Sequence, residues 1–294
     1  YLSILHSLNA ARLRQKSLQM TSATLKIINP PTFPIAAVPT KRKLMVAAAF
    51  FGTFLFVLGY FILLELLDRT LRDKLRTERL TSGKVLGAFP APGKWRMRSY
   101  NKAIREICAQ YLGNAVVNYF GRPGPNVVNL LSTEPGTGKS FLGAQLKEYF
   151  EKLDLKVRYV SYHLDFCPQR KNYLLATRIE EFIPRWDDAP DEAMSEDVIL
   201  VEHPSLSECP VPKAILQGAA VNLLVARADR TWKETDQLLF DKLRTQAGGT
   251  PLMICLNMAR REATENFTGM LPPYSRFKRF FYRLYQFGIF SSGK

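Results

Sequence analysis

Acidic residues are missing from the first 43 positions of this 294-residue chain, where seven Lys or Arg stand (Arg12, Arg14, Lys16, Lys26, Lys41, Arg42 and Lys43). Charge of either sign is missing from Leu44 to Leu64, a run of 21 residues. Histidine is scarce, at three in the whole chain, and the four cysteines (Cys108, Cys167, Cys209, Cys255) lie far apart with no C-x-x-C pair. These shortages exclude a disulfide framework and a zinc site of ordinary spacing. The cysteines read as reduced thiols of a cytosolic domain, with Cys255, inside an apolar run, as a small buried hydrophobe.

What is abundant is positive charge, a net +15. It gathers at the start and again in the tail, at Arg276, Lys278, Arg279 and Arg283. Beside a membrane-spanning segment the nearest polyanion is the lipid headgroup layer, so membrane lipid is the expected partner and nucleic acid is not. The chain opens on Tyr1 rather than methionine, which reads as a fragment with an unseen upstream part.

At about 1.5 Å per residue, Leu44 to Leu64 spans roughly 30 Å, the thickness of a hydrocarbon core. Lys41, Arg42 and Lys43 precede it and Arg69 and Arg72 follow, as at the ends of a transmembrane helix; the competing reading is a buried core helix. Upstream, residues 1 to 28 carry apolar positions on a roughly helical period, and Pro30, Pro31, Pro34 and Pro39 then force an extended stretch. Downstream, Glu65 to Leu80 reads as a juxtamembrane helix ending at Ser82 and Gly83, followed by a linker through Pro90, Pro92 and Gly93. The expected divisions are residues 1–43, 44–64, 65–94, a soluble domain at 95–270, and a basic aromatic tail at 271–294.

In the soluble domain, apolar runs at Asn126 to Ser132, Lys156 to Ser161, Asp197 to Glu202, Ala220 to Ala226 and Pro251 to Asn257 alternate with helical patterns. This predicts an α/β fold with a mainly parallel sheet covered by helices on both faces, preceded by a helix and one transmembrane helix. Immediately after the first of these strands comes Thr133-Glu134-Pro135-Gly136-Thr137-Gly138-Lys139-Ser140, then Phe141 and a helical pattern. Glycines let the backbone curl so that amides face phosphate oxygens, and the helix N-terminus adds partial positive charge. This predicts a P-loop NTPase-like site for ATP and Mg²⁺ formed by Glu134 to Phe141, with Lys139 reaching the β and γ phosphates and Ser140 on the metal. The first position of the usual pattern holds Thr133, not Gly.

Phosphoryl transfer also needs a strand-end carboxylate for the metal and the nucleophile. Glu202 is the candidate, catalytic and metal-binding, against a plain solvated strand-end acid. Asp165 is a second candidate, against a loop-surface acid. His163 and His203 have no partner that makes a catalytic pair and read as surface or packing residues. A nucleoside triphosphate site places residues 68 onward on the cytoplasmic side of the membrane.

Several features in order resemble the bacterial polysaccharide co-polymerase family, in which a chain-length-determinant membrane domain is fused to a bacterial tyrosine kinase domain (Wzc-like exopolysaccharide proteins). They are the pre-membrane helix, the proline-spaced Ile28 to Pro39 stretch, Val85-Leu86-Gly87-Ala88-Phe89-Pro90, and Ser132 to Ser140. The resemblance implies ring-forming homo-oligomers through membrane and cytosolic domains, partnership with polysaccharide polymerase and export machinery, and phosphorylation of a C-terminal tyrosine cluster. Tyr274, Tyr282 and Tyr285 are the phosphoacceptor candidates.

The departures bear on catalysis. The family's Asp-x-Asp motif aligns with Ser161 and His163, its Walker B aspartate with Glu202, and its Glu-x-x-Arg-x-x-Arg oligomerisation pattern is met only at Arg105, with Lys102 and Cys108 in the flanking places. Loss of these acids favours a kinase-degenerate regulator of exopolysaccharide or capsule chain length or export over an active protein-tyrosine autokinase using Glu202 or Asp165. The tail, interleaving Phe277, Phe280, Phe281, Leu284 and Phe287 with its basic residues, reads equally as phosphoacceptor, lipid-surface segment or packing element.

Overall fold

A computed structural model describes residues 1–21, 41–93, 99–121, 125–183 and 196–274. The proline-rich stretch, Tyr282, Tyr285 and most of the tail lie outside them. The chain divides into units of residues 1–63 and 64–294. In the first, helix α1 (Leu2–Thr21) exposes Leu2, Leu5, Leu8, Leu13 and Leu18. Helix α2 (Arg42–Leu67) is long and apolar enough to cross a membrane, and none of its apolar window is buried.

The second unit is built on a sheet of six parallel strands, β1 (Lys84–Pro90), β2 (Asn126–Leu131), β3 (Val157–Ser161), β4 (Val198–Glu202), β5 (Val221–Arg227) and β6 (Leu252–Ala259). Their order is β1-β6-β5-β2-β4-β3. Strand side chains alternate between faces, and in the inner strands both sets are apolar. Val198 and Leu200 of β4 enter one core while Ile199 and Val201 enter another. Val221, Leu223 and Val225 of β5 likewise oppose Leu224 and Ala226.

Such strands need cover on two sides. On one side lie α4 (Asn101–Val117) and α5 (Lys139–Glu151), burying Leu112, Val116, Leu142 and Leu146. On the other, α8 (Glu234–Ala247) and α9 (Arg261–Thr268) bring Phe240, Leu243 and Phe267. The short helices α6 (Lys171–Leu174) and α7 (Lys213–Gly218) precede β4 and β5.

Two expectations are corrected. The juxtamembrane helix read as Glu65 to Leu80 is two helices, α2 ending at Leu67 and α3 (Lys74–Thr81). Between them Asp68 accepts the Thr70 amide at 2.9 Å, a local bond that competes with helix continuation. Thr70 then bridges Thr231 and Leu71 is buried. The segment read as linker, Val85 to Pro90, is strand β1, paired with β6 and burying Phe89 completely. Its proline is tolerated because it ends an edge strand.

The chain leaves β2 toward β3 at one edge, returns to β4, then crosses β2 to reach β5. That reversal puts a crevice outside the carboxyl end of β2, the usual position of ligand sites in open α/β sheets.

Candidate phosphate-loop site

Ser132 to Gly138 form the loop between β2 and α5, joined directly to the central strand. The segment after β4 ties it down, with the Leu206 amide donating to Ser132 O (2.8 Å) and the Ser207 amide to Thr133 O (3.2 Å). Thr133, in place of the usual first glycine, is buried. Gly136 (φ +69°) and Gly138 (φ +93°) take left-handed conformations. A Cβ at Gly138 would run into Asn257 Nδ2. Asn257, at the end of β6, donates that amide to Thr137 O at 2.8 Å. Glycine is required there by backbone and space together.

Lys139, buried, donates from Nζ to Ser132 Oγ at 2.6 Å and stands 5.7 Å from the centre of the Tyr162 ring. Burial lowers its pKa, and Glu202 opposes the shift. Phe141 is half-buried and packs its ring edge-on against Phe89. Glu134 points outward, its carboxylate bonded to Lys233 (2.6 Å) and Arg230 (3.1 Å). Hydrogen bonding to Lys233 holds its pKa below the usual carboxylate range.

Register brings the remaining groups together. In parallel pairing Leu130 opposes Glu202 and Ser161 opposes Glu202, so three strand ends form one row. Glu202 is 2 % exposed. Its Oε1 accepts the Ser140 hydroxyl at 2.8 Å, and its Oε2 accepts both the Ser161 hydroxyl at 3.2 Å and the Tyr159 phenol. Burial, then Glu202, raises the Tyr159 pKa, so that hydroxyl keeps its proton. Glu202 is therefore no solvated strand-end acid.

Asp165 caps the turn after β3, accepting the Ser161 amide at 2.8 Å. His163 is exposed, its ring 3.8 Å from that of Tyr162. His203 is fully buried, where Tyr173 donates to Nδ1 (2.9 Å) and Nε2 donates to Asn129 Oδ1 (3.0 Å) in the tautomer that satisfies both. Asn129 continues to Asn222 at 2.8 Å. Desolvation pushes the His203 pKa down to about 3. Cys108 faces the core rather than a surface, and Tyr274 is exposed.

Among the described residues no group of three or more His, Cys, Asp or Glu could hold a metal. The metal candidates reduce to Ser140 and Glu202, each already bonded to the other. The loop amides and Lys139 are suited to an anion of phosphate type; the row of hydroxyls around Glu202 is suited to holding a carboxylate still. Sequence reasoning passed over Tyr159, Arg230, Lys233 and Asn257. For Tyr159 a signal existed, since it lies two residues before Ser161 on one strand and shares its face.

No family model matches the sequence, and no curated protein matches it. Among solved structures the chain is similar to the kinase domain of Escherichia coli tyrosine kinase ETK, at 14 % identity and a TM-score of 0.49, over 70 % of this chain and 99 % of that one. It is similar to the BceF tyrosine kinase domain, at 16 % identity and a TM-score of 0.43, over 64 % of this chain and 98 % of that one. The chimerical protein CapA2B2 is similar at 11 % identity and a TM-score of 0.43, over 64 % of this chain and 100 % of that one.

Proposed function

We propose that this chain is an inner-membrane regulator of exopolysaccharide or capsule chain length or export, whose cytosolic domain binds nucleoside triphosphate at Glu134 to Phe141 without ready phosphoryl transfer. The observation that carries the last part is the Glu202 carboxylate, which accepts hydroxyls from Ser140, Ser161 and Tyr159. A carboxylate so engaged is poorly placed to hold a metal's waters or take a proton. The biological role rests on the order of sequence features, with α2 as the membrane anchor.

The loop suits a polyphosphate because Gly136 and Gly138 turn in left-handed backbone and the space beside Gly136, where a side chain would stand, is open. Lys139 would bind the β and γ oxygens once drawn from Ser132, and Ser140 would orient toward Mg²⁺ once released from Glu202. ATP and Mg²⁺ supply the transferable group and its charge neutralisation. Mg²⁺ asks few ligands of a protein but those it takes must be free, so a weakened metal site follows.

An active protein-tyrosine autokinase is the second reading, supported by a phenol already hydrogen-bonded to a carboxylate beside the loop at Tyr159 and Glu202. One experiment separates the two. The full chain in lipid nanodiscs is titrated with ATP and Mg²⁺, then assayed for phosphate on its own tyrosines. Saturable binding that Lys139→Met abolishes, with no tyrosine phosphate, is the expected result. Substantial autophosphorylation overturns the regulator reading, and absence of binding overturns both.

A further inference from the structure

The acid at the second position of the phosphate loop is gripped by two cations from a different part of the sheet. Arg230 and Lys233 stand in the segment between β5 and α8, and both reach Glu134, at 3.1 and 2.6 Å. Arg230 Nη1 also lies 3.5 Å from Pro135 O, against the loop backbone itself. Two cations on one carboxylate leave a surplus positive charge beside the lysine that the loop already carries.

The backbone holding these cations is fixed while their tips are free to change partner. The Trp232 amide donates to Arg69 O at 2.9 Å, Thr231 bridges Thr70, and the Lys233 amide donates to Asp236 at 3.0 Å. The side chains themselves are open to solvent, Arg230 at 44 % and Lys233 at 59 %. Ion pairs this exposed hold weakly. Between the loop and this segment lies a cavity of about 20 Å³ lined by Thr133, Glu134 and Thr137, and Thr137 Oγ1 is buried without a hydrogen-bond partner. The two pieces are apposed but not packed shut.

We propose that Arg230 and Lys233 are a triphosphate-sensing clamp: the terminal phosphate of a nucleoside triphosphate takes both cations from Glu134, and a diphosphate does not. A terminal phosphate carries more charge and more acceptor oxygens than the single carboxylate it replaces, and arginine matches it with a planar fork of donors. Glu134 then acts as the competing anion that sets the discrimination. These are binding and specificity residues; the clamp rests on the reading that the loop binds nucleotide.

The test uses the full chain in nanodiscs and calorimetric titration with Mg·ATP and Mg·ADP separately. Arg230→Ala and Lys233→Ala are expected each to weaken ATP binding roughly fivefold, a charged hydrogen bond discounted for exposure, with ADP binding changed less than twofold. Glu134→Gln is expected to tighten ATP selectively. The substituted side chains are exposed or half-exposed, and unchanged melting temperatures verify folding. If the wild type binds both nucleotides and the variants lower both equally, or neither, the clamp is wrong and nucleotide binding stands. If the wild type binds neither, the nucleotide reading fails and the clamp with it.

Discussion

Ser140 Oγ donates to Glu202 Oε1 across 2.8 Å, joining the first turn of α5 to the end of β4. The two residues stand 62 positions apart, and β4 pairs with β2 so that Glu202 faces Leu130, two residues before the loop begins. The same carboxylate takes two more hydroxyls on its other oxygen. The acid expected to serve chemistry thus serves first as the knot that ties the ends of β4 and β3 to the start of α5.

Loosening that knot should be measurable. Tyr159→Phe removes one donor from Glu202 and is expected to cost about 1 kcal/mol in a denaturant melt, while raising the affinity for Mg²⁺ in the presence of ATP severalfold. A stability loss without any change in metal dependence would mean that Tyr159 does not compete with the metal.

Gly143 lies under the Tyr159 ring, where an added Cβ would collide with Cε2 and come within 2.9 Å of Leu130 Cδ1. Gly143→Ala is expected to displace the ring and to destabilise by about 1–3 kcal/mol, as overpacking does. Tyr159→Phe should not rescue it, because the clash is with the ring and not the hydroxyl. Equal stability of wild type and Gly143→Ala would refute this packing.

Restoring an acid should restore a need for metal. Ser161→Asp places a second carboxylate against the Glu202 Oε2 that Ser161 now bonds at 3.2 Å, and two such charges repel unless one is protonated or a cation intervenes. In EDTA the variant should melt below the wild type. Mg²⁺ at about ten times its Kd would return about 1.4 kcal/mol, or roughly 3–6 °C, where the wild type gains less.

Acid should unfold the domain partly through His203. Its ordinary pKa of 6.5 falls to about 3 because burial disfavours the cation. Between those values the unfolded chain binds a proton that the folded chain refuses, so stability is complete above pH 6.5 and falls by about 1.4 kcal/mol per pH unit below it. His203→Gln should be less stable at neutral pH yet show a shallower acid limb. Parallel acid limbs in the two proteins would remove His203 from the account.

Thiol accessibility checks the packing independently. Cys167 is exposed while Cys108, Cys209 and Cys255 are buried, with burial pushing the Cys108 pKa up to about 12. Ellman's reagent should therefore titrate one fast thiol in the folded chain and four in denaturant. Two or more fast thiols in the native protein would contradict the fold.

Much was legible because it is local. The uncharged run from Leu44 to Leu64 needs only its length and polarity to be read as a spanning helix. The strands β2 to β6 lie within a residue or two of the apolar runs in the sequence, because those runs are continuous and bounded by turn residues. The Gly136-Thr137-Gly138-Lys139-Ser140 string carries its own conformational logic, since Gly138 must hold φ +93° for the helix to start where it does.

Strand β1 is illegible in the sequence for the opposite reason. Its glycine and terminal proline carry the signature of a linker, and only pairing with β6, more than 160 residues later, makes it a strand. The break after Leu67 depends likewise on Thr231 and on a core that buries Leu71.

By itself the sequence determined a helix long and apolar enough to cross a membrane, the alternation of strands and helices, and the glycine turn ahead of α5, because each follows from the period, polarity or backbone freedom of neighbouring residues. The tertiary structure alone decided what surrounds that place: which hydroxyls satisfy Glu202, which cations grip Glu134, and which amide supports Thr137. Those partners come from β3, the start of α5, β6 and the β5–α8 segment, and strand order and register, set by burial on both faces of the sheet, bring them within hydrogen-bonding distance.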